Sequence, residues 1–270
     1  MQRPDWAPDT IDIERPSVAR MYDYYLGGSH NFAADRAAAR AMVTAVPEAP
    51  LMAQANRAFL RRAVQFLAEA GIRQFLDIGS GIPTVGNVHE IAQRIEPESR
   101  VVYVDVDPVA VAHSQEILSG NDRATVIQED LRRPEAILRH PEVTRLLDFT
   151  QPVAVMVVAV LHFIPYADRP EEVLRTLRQA LVPGSYLVMS QACDEGRDET
   201  GERAEAERVY RRTDNQLWIR SRAELVGLFD GFTLVDPGVV WVPQWRPETP
   251  EQAENAADAV FMGGVGRLDG

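Results

Sequence analysis

Residues 74–90 read QFLDIGSGIPTVGNVHE: a short apolar run, an aspartate near its end, and a Gly-Ser-Gly step directly after it. A run of that length bounded by glycines has the form of a buried strand. A carboxylate at the end of such a strand is costly unless something above it answers its charge. Outward from this segment the pattern repeats. Apolar runs at 74–78, 100–105, 124–128, 152–159 and 185–191 alternate with amphipathic stretches near 86–95, 108–119, 134–146 and 170–181. Continuously apolar strands alternating with helices predict a parallel sheet covered on both faces, an α/β fold of the Rossmann-like, doubly wound kind. Ser221 and Glu224 then form a capping box ahead of a helix that stops at Asp230-Gly231. FTLVDPGVVWVPQW (232–245) predicts two strands around an Asp-Pro-Gly turn, closing the sheet with an antiparallel hairpin.

Upstream of the first strand the periodicity is helical. Residues 1–16 carry three prolines and read as an extended arm. Ser17 caps a helix whose apolar side is Val18, Met21, Tyr22 and Tyr25, stopped by Gly27 and Gly28. A second helix runs to Pro47 and a third to Gly71. The expected organisation is an arm (1–16), a helical cap or lid (17–71) and a ligand-binding domain (72–270), folded as one structural unit.

Composition excludes several functions. All 28 basic residues are arginine, so there is no phosphate-loop lysine, Schiff-base lysine or lysine general base. A net charge of −12 argues against a nucleic-acid partner. The longest apolar run, PVAVMVVAVLHFIP (152–165), is too short for a membrane helix, and the N-terminus has no signal-peptide core, which points to the cytoplasm. Cys193 is the sole cysteine and the five histidines form no His-Glu-x-x-His motif, which leaves no case for a metal.

The glycine loop separates the nucleotide folds. A dinucleotide loop needs Gly-x-Gly-x-x-Gly, and here Thr84 stands where the third glycine belongs. Asp77 instead precedes Gly79 and Gly81 in an acid-x-Gly-x-Gly pattern. A pyrophosphate beside that carboxylate would be repelled. S-adenosylmethionine, which carries an ammonium and a sulfonium and no phosphate, would be favoured, with the glycine amides turned toward its carboxylate. Asp105 ends the second strand, where a carboxylate can accept both ribose hydroxyls. Asp107 is the rival for that role or the cap of the helix opened by Pro108. Asp130 follows the third strand and can accept from an adenine amino group, with the Leu131 N–H facing the ring.

These motifs resemble the class I S-adenosylmethionine-dependent methyltransferases over about residues 72–245. More narrowly, VARMYDYYLGGSHNFAADR (18–36), DIGSGIPTVGNVHE (77–90), VLHFIP (160–165), PGVVWVPQWRPE (237–248) and the closing GGVGR (263–267) resemble an actinobacterial subfamily long labelled a domain of unknown function. The resemblance implies a seven-stranded sheet with a reversed last strand. It also implies cofactor contacts at Asp77, Gly79, Gly81, Asp105 and Asp130 and near Ala159, with S-adenosylhomocysteine as product. It names no acceptor.

Methyl transfer from a sulfonium needs in-line placement of the nucleophile, and a base only where the acceptor loses a proton. His162, directly after the fourth strand, is the best-placed base, against a reading as a histidine tied to a neighbouring loop. His89 reads as a packing residue, and His30, His113 and His140 have no supporting neighbours. Tyr22, Tyr25, Asn31 and Phe32 are the expected lid and acceptor-pocket residues. The charged insert after strand five reads as a solvated helix, with Tyr210 and Trp218 available for acceptor recognition. Cys193 is expected to be buried and inert. The leading function is methyl transfer to a small molecule. The rivals are a non-catalytic module that binds the same cofactor, a nicotinamide-dependent oxidoreductase, and an aminopropyl transferase. The sequence leaves the methylated atom and the oligomeric state open.

Overall fold

A computed structural model describes residues 11–83, 86–193, 195, 201–213, 215–254 and 256–270. Thr84 lies outside the described residues, as do most of the arm and much of the charged insert. In chain order the elements are α1 (Val18–Tyr25), α2 (Ala33–Ala45), α3 (Ala49–Glu69), β1 (Gln74–Ile78), α4 (Val88–Ile95), β2 (Arg100–Asp105), α5 (Pro108–Ile117) and β3 (Ala124–Gln128). There follow α6 (Pro134–Arg139), α7 (Pro141–Leu146), β4 (Ala154–Val158), α8 (Pro170–Gln179), β5 (Tyr186–Ala192) and α9 (Glu202–Tyr210). The chain closes with α10 (Arg222–Gly227), β6 (Thr233–Leu234), β7 (Val240–Trp241) and β8 (Phe261–Arg267). The stretch expected as one helix over 134–146 is two, because Pro141 cannot continue the ladder.

The sheet runs β3-β2-β1-β4-β5-β8-β6, with β7 also on β8. The first five strands are parallel, and β8 is antiparallel to β5. Between β1 and β4 the strand order reverses, which opens a crevice at their carboxyl ends. Alternation along each strand feeds two cores. Phe75, Val101, Met156 and Val188 face α3, while Leu76, Val102, Val155 and Leu187 face the layer of α6, α7, α8 and α10.

The predicted terminal hairpin is not formed. β6 and β7 do not pair with each other; both lie antiparallel along β8, at Thr233↔Arg267 and Val240↔Gly263. The chain keeps its direction through Asp236-Pro237-Gly238, which interrupts one edge strand rather than reversing it. The true partner, β8, reads FMGGVGR and lacks strand propensity. Its glycines serve close packing: a Cβ on Gly263 would meet the Met189 carbonyl oxygen at 2.9 Å, and one on Gly266 would meet Phe232 at 2.8 Å.

The N-terminal helix α3 packs against the segment that follows β7. Arg62 on α3 donates to the carbonyls of Trp245 and Val242, and Phe59 meets the buried Trp245 ring edge-on at 5.5 Å. No described helix is long and apolar enough to cross a membrane.

Candidate functional site

Parity along the strands builds the site. Asp77 follows Phe75 by two residues, Asp105 follows Tyr103, Val158 follows Met156 and Ser190 follows Val188, so all four occupy the sheet face covered by α3. At the carboxyl ends of these strands, α1, α2, α3 and α9 close a cavity of about 590 Å³. A cavity of that size suits a small-molecule site.

Asp77 is 3% exposed, and burial pushes its carboxyl up to about 7, against the pull of the Arg57 guanidinium; neighbouring Asp105 raises it further. Burial likewise pushes Asp105 up to about 6, although Oδ1 accepts the Asp107 N–H at 2.8 Å and Oδ2 the Gly81 N–H at 2.7 Å. Two carboxylates accept about four hydrogen bonds each, so Asp105 keeps capacity for further donors. Asp107 resolves as the helix cap: Oδ1 accepts from the Val109 N–H, and Oδ2 accepts the Ser17 hydroxyl. Ser17 therefore heads α1 without capping it by side chain, contrary to expectation. Asp130 lines the cavity, but Arg132 grips it through Nε at 2.9 Å and through its backbone N–H at 2.9 Å. Burial alone would raise that carboxyl; the Arg132 contacts outweigh it and hold it below its usual range. Leu131 also lines the cavity.

The glycine loop differs from its expected role. Gly79, Ser80 and Gly81 spend their N–H groups on the Val104 carbonyl oxygen, the same oxygen and Asp105. Gly79 is required because its φ is +76° and a Cβ would meet Val160 Cγ2 at 2.2 Å. None of the three amides from Gly79 to Gly81 is left free for a phosphate, whereas Ser80 lines the cavity and its buried hydroxyl lacks a protein partner.

The opposite wall comes from the N-terminal helices. Tyr22 donates to the Ala53 carbonyl at 3.0 Å and accepts from Asn56 Nδ2 at 3.1 Å; Asn56 Oδ1 accepts the Ser190 hydroxyl at 2.5 Å, and Ser190 Oγ accepts the Ala159 N–H at 3.1 Å. This chain of bonds joins α1, α3, β5 and the turn after β4, where Ala159 lines the cavity with φ +59°. Tyr25 and Tyr210 also line the cavity. Asn31 and Phe32 do not. Asn31 Nδ2 is tied to Asp23 and the Gly28 carbonyl, and Phe32 packs with Ile82 and Val109 beneath the Arg20 guanidinium. Arg20, 3% exposed, bridges Asp35 at 3.2 Å and Asp107 at 3.7 Å, which fastens α1 and α2 to the end of β2. Ile11 is buried against the cavity, so the described end of the arm is packed.

His162 sits in a short helical turn after β4, 4% exposed, with Nδ1 buried and lacking a protein partner. Burial, reinforced by the Arg220 charge, holds its imidazole down to about 3, so the ring is neutral near pH 7. Arg220, itself buried, donates to the Leu161 and Ile164 carbonyls on either side of it, and the Trp218 N–H donates to the His162 carbonyl. Trp218 contributes this backbone bond; its ring meets Tyr166 and not the cavity. The Cys193 thiol is buried and pushed up to about 12, hence unreactive. His89 packs as expected, its Nδ1 2.7 Å from the Tyr103 hydroxyl. His30 and His113, expected to stand alone, lie ring against ring at 3.8 Å. Among the described residues no group of three or more potential ligands is gathered for a metal.

Arg57, Asn56, Ser80 and Arg20 were missed from sequence. The first two lie on the buried face of α3 and read only as helix-face residues.

The profile of a family described as S-adenosyl methyltransferase matches residues 4–269. A proposed methyltransferase from Thermobifida fusca YX is 41% identical, superposes with a TM-score of 0.92, and the match covers 99% of this chain and all of that one. A DUF574 family protein from Streptomyces avermitilis MA-4680 is also 41% identical, with a TM-score of 0.89 over 95% of this chain and 99% of that one. Human N-acetylserotonin methyltransferase, solved with S-adenosylmethionine, shares the fold at a TM-score of 0.51 and 12% identity, over 95% of this chain and 64% of that one. Comparison with curated proteins gives no match.

Proposed function

The chain belongs to the S-adenosyl methyltransferase family, and we propose that its cavity binds S-adenosylmethionine and that the protein transfers the cofactor's methyl group to a small molecule. The observation that carries this reading is the pair of buried carboxylates, Asp77 and Asp105, beside a Gly79-Ser80-Gly81 step whose three amides are already spent. Such a site repels a pyrophosphate and suits a ligand with an ammonium and hydroxyl donors. The fit extends to Ser80, whose buried hydroxyl lacks a protein partner, and to Arg57, which lines the same cavity and suits a carboxylate.

When bound, the cofactor supplies an activated methyl group on a positively charged sulfur. The residues of the chain bind and orient it. Asp105 accepts from the ribose hydroxyls, Asp77 faces the ammonium, Leu131 and Asp130 border the adenine, and the turn at Ala159 bounds the reacting end. The helices α1–α3 exclude water and hold the acceptor in line, the placement that supplies much of the rate. His162 takes a proton where the acceptor must lose one.

Thermal unfolding with S-adenosylmethionine, S-adenosylhomocysteine and NAD, each at about 100 times its dissociation constant, tests the reading. Binding at that level adds ~2.7 kcal/mol, a rise of roughly 5–10 °C for a chain of this size. A rise with both sulfur nucleotides and none with NAD is expected. A rise with NAD alone overturns it.

A further inference from the structure

The charge in the cavity is segregated, and this bears on what the acceptor is. Every charged side chain among the described lining residues is anchored toward β1, β2 and β3. Asp77, Asp105 and Asp107 stand on or just after β1 and β2; Glu129, Asp130 and Arg132 follow β3. Arg57 is drawn to Asp77, and Arg20 bridges Asp107 while donating to the Asp12 backbone carbonyl. The part beyond β4, β5 and β8, under α1–α3 and α9, holds no charged side chain among the described residues. Its walls are aromatic and apolar: Tyr25, Phe163, Tyr210 and Phe261, with Met42 and Met52. Its titratable groups are neutral near pH 7. Burial holds the tyrosine hydroxyls and the Cys193 thiol protonated and the His162 ring unprotonated.

Resting on the cofactor reading above, we propose that the acceptor is an uncharged hydroxyaromatic molecule, seated between the aromatic walls with its hydroxyl on the His162 imidazole, and methylated at that oxygen. An ammonium in this compartment would be stripped of water with nothing to answer its charge, and a carboxylate would meet only the Arg220 guanidinium behind His162, already engaged by the Leu161 and Ile164 carbonyls. Planar aromatic walls favour a flat ring. His162 lines the cavity and its buried ring keeps a nitrogen without a protein partner, so the imidazole is the polar handle, and it is fixed by Arg220 and Trp218 through the backbone around it. A neutral ring nitrogen fits less well, since methylation would leave a permanent cation where no carboxylate stands. In the step itself, an oxygen lone pair forms the new O–C bond as the C–S bond breaks, and the bonding electrons go to sulfur, which becomes a neutral thioether. The hydroxyl proton passes to the neutral His162 imidazole and on to solvent. Because the oxygen becomes strongly acidic as the O–C bond forms, a weak base suffices.

The test uses the wild-type protein loaded with S-adenosylhomocysteine and three probes of one shape: 2-naphthol, 2-naphthoate and 2-(aminomethyl)naphthalene. Binding is measured by titration calorimetry at pH 7.5, and turnover of 2-naphthol with S-adenosylmethionine is followed by mass spectrometry. The expected result is at least tenfold tighter binding of the naphthol than of either charged probe, with 2-methoxynaphthalene as product. Equal or tighter binding of a charged probe overturns the proposal, as does no binding by any of the three. Naphthol binding without 2-methoxynaphthalene overturns the hydroxyl assignment. Failure of S-adenosylhomocysteine to load the protein strikes the cofactor reading instead, so the two failures are distinct.

Discussion

Replacing Asp77 by asparagine keeps the shape of the side chain and removes its charge. In the folded protein burial lifts this carboxyl from 3.8 to about 7, about three units or roughly 4 kcal/mol between protonation states. The sign follows from linkage. A folded-state value above the unfolded one gives stability that is complete below pH 3.8 and is lost as pH rises through 7. The parent therefore carries a buried, ionised Asp77 at pH 8 and a mostly protonated one at pH 5. Integrated over that interval, the carboxyl loses roughly 2–3 kcal/mol of stability that an amide does not lose. Any pH-independent cost of burying the amide cancels in the comparison. Thermal unfolding of Asp77→Asn and parent at pH 5 and pH 8 reads the effect directly. The melting-temperature difference should move in the variant's favour by ~5–10 °C on going to pH 8. The same variant at pH 8 should bind S-adenosylhomocysteine at least tenfold more weakly, because the ammonium loses its counter-charge. A difference independent of pH, or one that moves against the variant, would refute the argument: Asp77 would then be ionised and well partnered without ligand.

His162→Gln should slow methyl transfer to 2-naphthol by ~10²–10⁴-fold while binding of S-adenosylhomocysteine stays unchanged; since the imidazole is held down to about 3, the parent rate should show no histidine limb between pH 5 and 8. Gly79→Ala meets both a φ of +76° and Val160 Cγ2, and should cost about 3 kcal/mol; Gly81→Ala, with φ +68° and open space around its Cβ, should cost about half as much or less by the same urea titration. Arg20→Met leaves Asp35 and Asp107 buried without their cation, for a loss of about 3–5 kcal/mol. Burial already raises the Asp35 carboxyl, so protonation relieves the variant and its loss should be smaller at pH 5 than at pH 8; an equal loss at both would deny Asp35 a part in it.

The parallel half of the sheet was legible because its strands are buried on both faces and carry near-continuous apolar runs: the spans 74–78, 100–105 and 124–128 hold to the residue. The carboxyl-edge acids were legible for a related reason, since a charge that ends an apolar run stands out. The last strand was not. FMGGVGR takes its place through tight approach to Met189, Phe59 and Phe232, a tertiary demand that suppresses side chains and with them the local signal. Distant pairing hid the wall of the site as well. Asn56 and Arg57 are ordinary helix residues until α3 lies across the sheet, and Arg20 finds Asp107 across 87 positions of sequence. Asn31 and Phe32 showed the opposite error: an unusual loop sequence serves the loop's own hydrogen bonds and packing, not the cavity.

A crystal structure of the protein with S-adenosylhomocysteine tests the central claim most directly. The expected density has ribose hydroxyls on Asp105, adenine beside Leu131, the amino-acid end between Asp77, Ser80 and Arg57, and the sulfur turned toward the neutral compartment that holds His162. Density for the ligand with its sulfur facing away from His162, or with no contact to Asp77 and Asp105, would contradict it.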